Sequence, residues 1–228
     1  MKWLNPPSLD KQPLFVAESA SVGKAMHKES SISSMRRRVA REAAILLYTE
    51  QEKEYKQAKR LAAQTLRVRI LPSNLEVATE LDAFVEETEG PTRLERLVQM
   101  RREALQVMDA LKGFHPRLVG SVWRGTAHKN SDIDIQTFSA DPTPILIQLH
   151  RNNFNIIKTE WQSVTKRGKK EASYHIHLAL PSGNEAEVAV RSLEKMNQKE
   201  RCEIYGDTVT GLSHPQLLRV LSETPLQR

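Results

Sequence analysis

The segment Ser131-Asp-Ile-Asp-Ile135 constrains this chain more than any other. In an extended strand successive side chains point to opposite faces, so Asp132 and Asp134 share one face and Ile133 and Ile135 the other. Two acids crowded on one face of a half-buried strand repel each other and cost stability unless a cation sits between them. Oxygen-only ligands suit Mg²⁺ or Mn²⁺, which commonly rely on one or two carboxylates plus substrate phosphates. The segment therefore reads as a strand with an apolar inner face and, on its other face, a place for a metal-bound phosphate.

The turn ahead of the acids points the same way. In Leu118-Val-Gly-Ser-Val-Trp-Arg-Gly-Thr126, Gly120 lets the backbone bend sharply and approach a ligand. Ser121 offers a hydroxyl and a backbone N–H beside it. A helix beginning just after the turn would aim its first N–H groups at an anion. Arg124 carries a permanent charge that can fork onto phosphate oxygens, and Gly125 gives the chain room before Thr126. Taken singly, a Gly-Ser is usually a turn, an Asp-x-Asp a solvated strand edge, and an arginine a surface group. At this spacing, with strand patterns on both sides, the combination is far more specific.

Gly120-Ser121-Val122-Trp123-Arg124-Gly125-Thr126 and Ser131-Asp132-Ile133-Asp134-Ile135 together resemble the DNA polymerase β-type nucleotidyltransferase superfamily. The form is Gly-Ser-x-x-x-Gly-Thr followed by Asp-x-Asp, as in archaeal-type CCA-adding enzymes and oligoadenylate synthases. The resemblance covers about residues 117–138, extends to about 191, and says little of residues 1–90. It implies a third carboxylate on a later strand. Two alternating runs, residues 173–180 and 185–191, are joined by Pro181-Ser-Gly-Asn184, a hairpin signal. Glu185 and Glu187 share one face of the second run. Glu187 lies deeper in the strand and takes the third role, with Glu185 as fallback; many relatives carry the shorter Asp there.

The resemblance implies transfer of a nucleotidyl group from a nucleoside triphosphate such as ATP to an acceptor hydroxyl, with release of pyrophosphate. Two Mg²⁺ or Mn²⁺ ions about 3.5–4 Å apart would stabilise the attacking and departing oxygens. It assigns Asp132 and Asp134 to the ion that grips the triphosphate, and Glu187 to the one that activates the acceptor. Gly120, Ser121, Arg124, Gly125 and Thr126 become the nucleotide-binding turn, with Ser121 and Arg124 on the β and γ phosphates.

The 228 residues suffice for a proper core, and the fold class expected is α+β. A mixed sheet flanked by helices occupies residues 114–228, a helical region residues 34–113, and an extended or partly disordered segment residues 1–33. That first segment is rich in proline and serine, with Trp3, Leu14 and Phe15 as scattered apolar anchors. A helix is expected from Met35 to about Leu66, with Arg36, Arg37, Arg38 and Arg41 in first turns that disfavour positive charge. Ser73 and Glu76 have capping-box spacing for a helix to Glu89. Gly90-Pro91 opens another helix, to about Lys112, with Gly113 as its C-cap. A helix near residues 143–151, a strand near 154–161 and a last helix after Ser213, packing on Leu217, Leu218 and Leu221, complete the reading.

His175 and His177 share a strand face but lack a third ligand at zinc-like spacing. A three-residue turn would set His177 opposite Glu187, and a two- or four-residue turn would set Leu178 there. Both histidines stay outside the assigned site.

Net charge is +6, which favours polyanionic partners, nucleic acid first. The basic linker Lys166-Arg-Gly-Lys-Lys170 either touches nucleic acid or keeps a loop wet. The single Cys202 makes no internal disulfide and suits a reducing cytoplasm. No apolar run approaches the ~20 residues that span a bilayer, and the first residues lack a signal-peptide core. A soluble cytoplasmic protein without a membrane partner is expected. RNA, such as a tRNA end, fits the charge as acceptor. A small molecule or protein as acceptor, or a non-catalytic nucleic-acid binder of the same fold, are the alternatives. Oligomeric state is not legible.

Overall fold

The runs with period-two alternation become the middle of one sheet. The computed structural model describes residues 16–166 and 169–225. Its main sheet holds β1 (Arg117–Leu118), β2 (Ile133–Phe138), β3 (Asn155–Lys166), β4 (Lys169–Ala179), β5 (Glu185–Arg191) and β8 (Leu212–Ser213) in the order β3-β4-β5-β2-β1-β8. β2 and β5 run parallel and every other pair is antiparallel. A parallel pair needs a crossover. Here the chain leaves β2, forms α6 (Thr143–Arg151) and the long β3–β4 hairpin, and returns as β5. The expected α+β architecture, a mixed sheet with flanking helices, is what forms.

One face of the sheet is mainly apolar. Ile133 and Ile135 of β2, Ile176 and Leu178 of β4, and Ala186 and Val188 of β5 are buried there. They meet Leu97, Met100 and Met108 of α4 (Pro91–Ala110), Ile145 and Leu149 of α6, and Leu217 of α7 (His214–Glu223). α4 thus belongs to the sheet's core, across the boundary expected at residue 113. Leu218, expected to pack back, is exposed, because it lies one residue around α7 from the buried Leu217.

A second apolar cluster joins α1 (Val16–Tyr48), α2 (Tyr55–Thr65) and α3 (Asn74–Glu89). Ala40, Ala43 and Ala44 of α1 face Ala58, Ala62 and Ala63 of α2, and side chains this small let the helices approach closely. Two expectations are corrected here. The helix begins at Val16 and runs through residues expected to be extended up to 33, where Ala, Glu, Lys and Met offset the serines. The arginines at 36–38 and 41 therefore sit mid-helix, away from the positive end, and Arg37 and Arg41 pair with Glu80 and Glu87 of α3. The single helix expected to reach Leu66 is two: Glu50 takes a left-handed φ of 57°, and Thr49 Oγ1 turns back onto Ile45 O at 2.8 Å. This reversal folds α2 against α1. Trp3, Leu14 and Phe15 fall outside the described residues.

Local signals hold elsewhere. Ser73 caps α3 in a full capping box with Glu76, and Pro91 opens α4. The left-handed residue after α4 is His115 rather than Gly113, because a 3₁₀ turn over Lys112–Phe114 carries the chain past the glycine. The basic linker at 166–170 is the β3–β4 turn, of which residues 167 and 168 are not described. Among the described residues no helix is long and apolar enough to cross a membrane.

Arg93 couples the two clusters. Only 2 % exposed, it donates from Nε to Ala127 O (3.0 Å) and from Nη1 to Asp82 O (3.2 Å), and it pairs with the carboxylates of Asp82 and Glu86. Removing one member of a buried charged network leaves its partners uncompensated. Arg93→Ala is expected to cost about 3–5 kcal/mol, read as a lower urea midpoint at unchanged slope.

Candidate active site

The parallel pairing of β2 with β5 sets Asp134 beside Glu187, and Asp132 lies two residues back on the same face. One carboxylate oxygen from each of Asp132, Asp134 and Glu187 lies within 4.8 Å of the other two. Glu185 is exposed on the same face and stands outside this trio. Burial, then the charges of Asp132 and Glu187, push the Asp134 carboxyl up to about 7. Asp132 is at the open rim, yet desolvation of its carboxyl by the surrounding protein raises its pKa, with the charges of Glu187 and Glu185 adding to the rise. Among the described residues no lysine or arginine pairs with Asp132 or Asp134.

The glycine-serine turn is shaped by these acids. Gly120 has φ +68°, and a Cβ there would fall 1.9 Å from Asp134 Oδ2. Val119 N donates to Asp134 O at 2.9 Å, which pins the turn to β2. The short helix α5 (Gly120–Arg124) follows, closed by Gly125 at φ +74° and by Thr126 N donating to Ser121 O at 2.9 Å.

A cavity of about 780 Å³ opens in front of the turn. Gly120, Ser121, Arg124, Thr126, Asp132 and Asp134 line one side of it, and Leu47, Lys53 and Tyr55 from the helical region line another. Tyr205 and Cys202 come from a strap formed by β6 (Glu200–Arg201) and β7 (Thr208–Val209). Gly125 closes α5 without lining the cavity, and Glu187 stands just outside it.

Arg124 differs from expectation. Its Nη1 and Nη2 donate to the two carboxylate oxygens of Asp207 at 2.9 and 2.7 Å, which holds the guanidinium still more firmly charged. Its face lies between the rings of Trp123 and Tyr205, 4.5 and 4.2 Å from their centroids. The fork expected on phosphate is occupied by a carboxylate 83 residues away, which no local pattern reveals.

Sequence reasoning also missed the cavity lysines Lys53 and Lys129, which make no ion pair among the described residues. It left His175 and His177 outside the site. The hairpin uses three turn residues, Pro181–Gly183, between Leu180 N and Asn184 O at 2.9 Å, so His177 faces Glu187. His175 Nδ1 contacts the Glu187 carboxylate directly.

Residues 102–195 match the family model described as the nucleotidyltransferase domain. No curated protein matches the chain. Among solved structures, Cid1, described for its RNA terminal uridylyl transferase activity, is 16% identical, with 49% of this chain and 36% of that chain covered and a TM-score of 0.31. Cid1 in complex with the UTP analogue UMPNPP is 20% identical over the same shares, also at a TM-score of 0.31. The chain spans about a third of the length of these proteins.

The raised Asp134 pKa fixes the sign of a pH effect. The folded protein holds this proton more tightly than the unfolded chain, so metal-free stability falls as pH rises from about 4 to about 7. Asp134→Asn is expected to relieve about 1–3 kcal/mol of uncompensated burial above pH 7, giving a higher melting temperature in chelator at pH 8 and little gain at pH 4. Gly120→Ala is expected to destabilise by at least about 1 kcal/mol through its left-handed φ and to displace Asp134, read as lost Mn²⁺ binding in calorimetry.

Proposed function

We propose, from the match of residues 102–195 to the nucleotidyltransferase domain model and from the resemblance of the Gly-Ser turn and Asp-x-Asp strand to the DNA polymerase β type, that the chain transfers a nucleotidyl group from a nucleoside triphosphate to an acceptor hydroxyl. The observation that carries this reading is the trio Asp132, Asp134 and Glu187 beside a cavity of nucleotide size. The donor set is all carboxylate oxygen, crowded and, among the described residues, without a neutralising lysine or arginine at the two aspartates. It fits Mg²⁺ or Mn²⁺ and disfavours softer metals. When bound, such ions supply Lewis-acid polarisation of the transferred phosphoryl group and a clamp on the attacking and departing oxygens.

The chain's own residues do the rest. Asp132 and Asp134 would hold the ion at the triphosphate end, and Ser121 orients that end with its hydroxyl and N–H. Lys53 and Lys129 take the phosphate-neutralising part that Arg124, bound to Asp207, does not play. The acceptor hydroxyl approaches from the Glu187 side, and Glu187 accepts its proton as a bond forms to the α-phosphorus. The bond from the α-phosphorus to the bridging oxygen breaks, and pyrophosphate leaves. Gly120 and Gly125 shape the wall that brings these groups together.

For the acceptor we favour RNA, on the net charge of +6 and the exposed Arg36 and Arg38 of α1. The test is incubation of the full chain with α-labelled nucleoside triphosphates, Mg²⁺ or Mn²⁺ and total cellular RNA. Label is expected in RNA, with affinity for RNA falling steeply as salt rises. Asp132→Ala and Asp134→Ala are each expected to lower transfer by at least about 100-fold. Transfer unchanged in Asp134→Ala would sink the reading, and label in protein or a small molecule would move the acceptor class.

A further inference from the structure

We infer that His175 is a positioning residue that holds the Glu187 carboxylate in place for the divalent cation; this rests on the reading of Asp132, Asp134 and Glu187 as a cation site. β4 pairs with β5 so that His177 faces Glu187 and His175 faces Ala189, which puts both histidines on the acidic face of the sheet. From that place His175 reaches diagonally across the pair, a distance long side chains span, and its Nδ1 meets Glu187 Oε1. Ala189, directly opposite, presents only a methyl group beneath the ring. On the ring's other side Nε2 lies 2.7 Å from Ser173 Oγ. Both side chains are largely covered, His175 at 13% exposure and Glu187 at 22%.

A carboxylate oxygen accepts, so Nδ1–H donates to Glu187; the Ser173 hydroxyl, which can donate or accept, satisfies Nε2. A ring with both nitrogens committed keeps one orientation, and Ser173 and His175 come from the same strand, which fixes them relative to the sheet.

Glu187 needs such an anchor. Its carboxylate ends a flexible stem and lies beside two other acids, whose repulsion favours rotamers pointing away from them. The N–H of His175 holds it against that repulsion. Hydrogen-bond partners of ligating carboxylates commonly set a site's affinity. His175 is not among the residues lining the nucleotide cavity, so its effect falls on the cation and acceptor side.

The experiment is calorimetric titration of the full chain with Mn²⁺ alone, without nucleotide, comparing wild type, His175→Ala, His175→Asn, Ser173→Ala and Asp134→Ala. Each variant's unfolding in chelator is followed in parallel. His175→Ala is expected to weaken Mn²⁺ about 10- to 100-fold. His175→Asn, whose amide N–H sits near the place of Nδ1–H, is expected to recover most of that loss, and Ser173→Ala to fall between. If Asp134→Ala loses Mn²⁺ while His175→Ala binds like wild type, the positioning role is overturned and the cation site stands. If wild type binds no Mn²⁺, the cation site itself fails and the role of His175 with it. Should His175→Ala not fold, His175→Gln, with its N–H one bond too far out, replaces it; Asn and Gln variants of equal affinity would likewise overturn the role.

Discussion

The parallel pairing of β2 with β5 is the constraint on which the site depends. It sets Asp134 beside Glu187 on one face and Ile135 beside Val188 on the other. A slip of one residue would send the acids into the core and the valines into water, so the buried face locks the register that gathers the carboxylates. Raising the Asp134 carboxyl to about 7 corresponds to about 4 kcal/mol at 1.4 kcal/mol per tenfold. Ile133, Ile135, Val188 and Val190 beneath it are all buried, each worth about 1.5–3 kcal/mol. Packing on one face therefore outweighs the electrostatic cost on the other.

The helical region is joined to this site rather than merely attached before it. The loop that delivers Asp132 is held at several points by α1, α3 and α4. Arg93 grips Ala127 O, Glu89 Oε1 accepts from Lys129 N at 2.9 Å, and Asn130 Nδ2 donates to Tyr48 O at 2.9 Å. The reversal between α1 and α2 that splits the expected single helix brings Lys53 and Tyr55 to the cavity. A continuous helix to Leu66 would have left that wall open. On the opposite side the strap is tied down through Asp207 to Arg124 and through Asn74 Nδ2 to Glu203 O at 3.3 Å.

What was legible in the sequence was what a few neighbouring residues decide. Ser73 with Glu76, Pro91, and the alternation in β2 and β5 each carry their instruction within one turn or strand. The carboxylates Asp132 and Asp134 were legible for the same reason. The break at Glu50 carries no glycine or proline, and it forms because α2 gains an alanine-rich face on α1, a tertiary reward that local propensity does not register. The facing of His177 and Glu187 turned on whether Pro181-Ser-Gly-Asn closes with three turn residues, and hairpin sequences of that length permit more than one.

Arg124 shows how a cavity-lining charge can be engaged within the fold. Its planar fork is satisfied best by a fixed bidentate partner, and Asp207 supplies one, with two rings covering the guanidinium faces. Arg93, Arg96 and Arg191 likewise pair with carboxylates within the fold, and each joins its own element to a neighbouring one. Lys53 and Lys129 are compact charges on flexible stems that make no ion pair among the described residues. A guanidinium held bidentately by Asp207 keeps one orientation, whereas an ammonium on a flexible stem can follow the charge of whatever it meets.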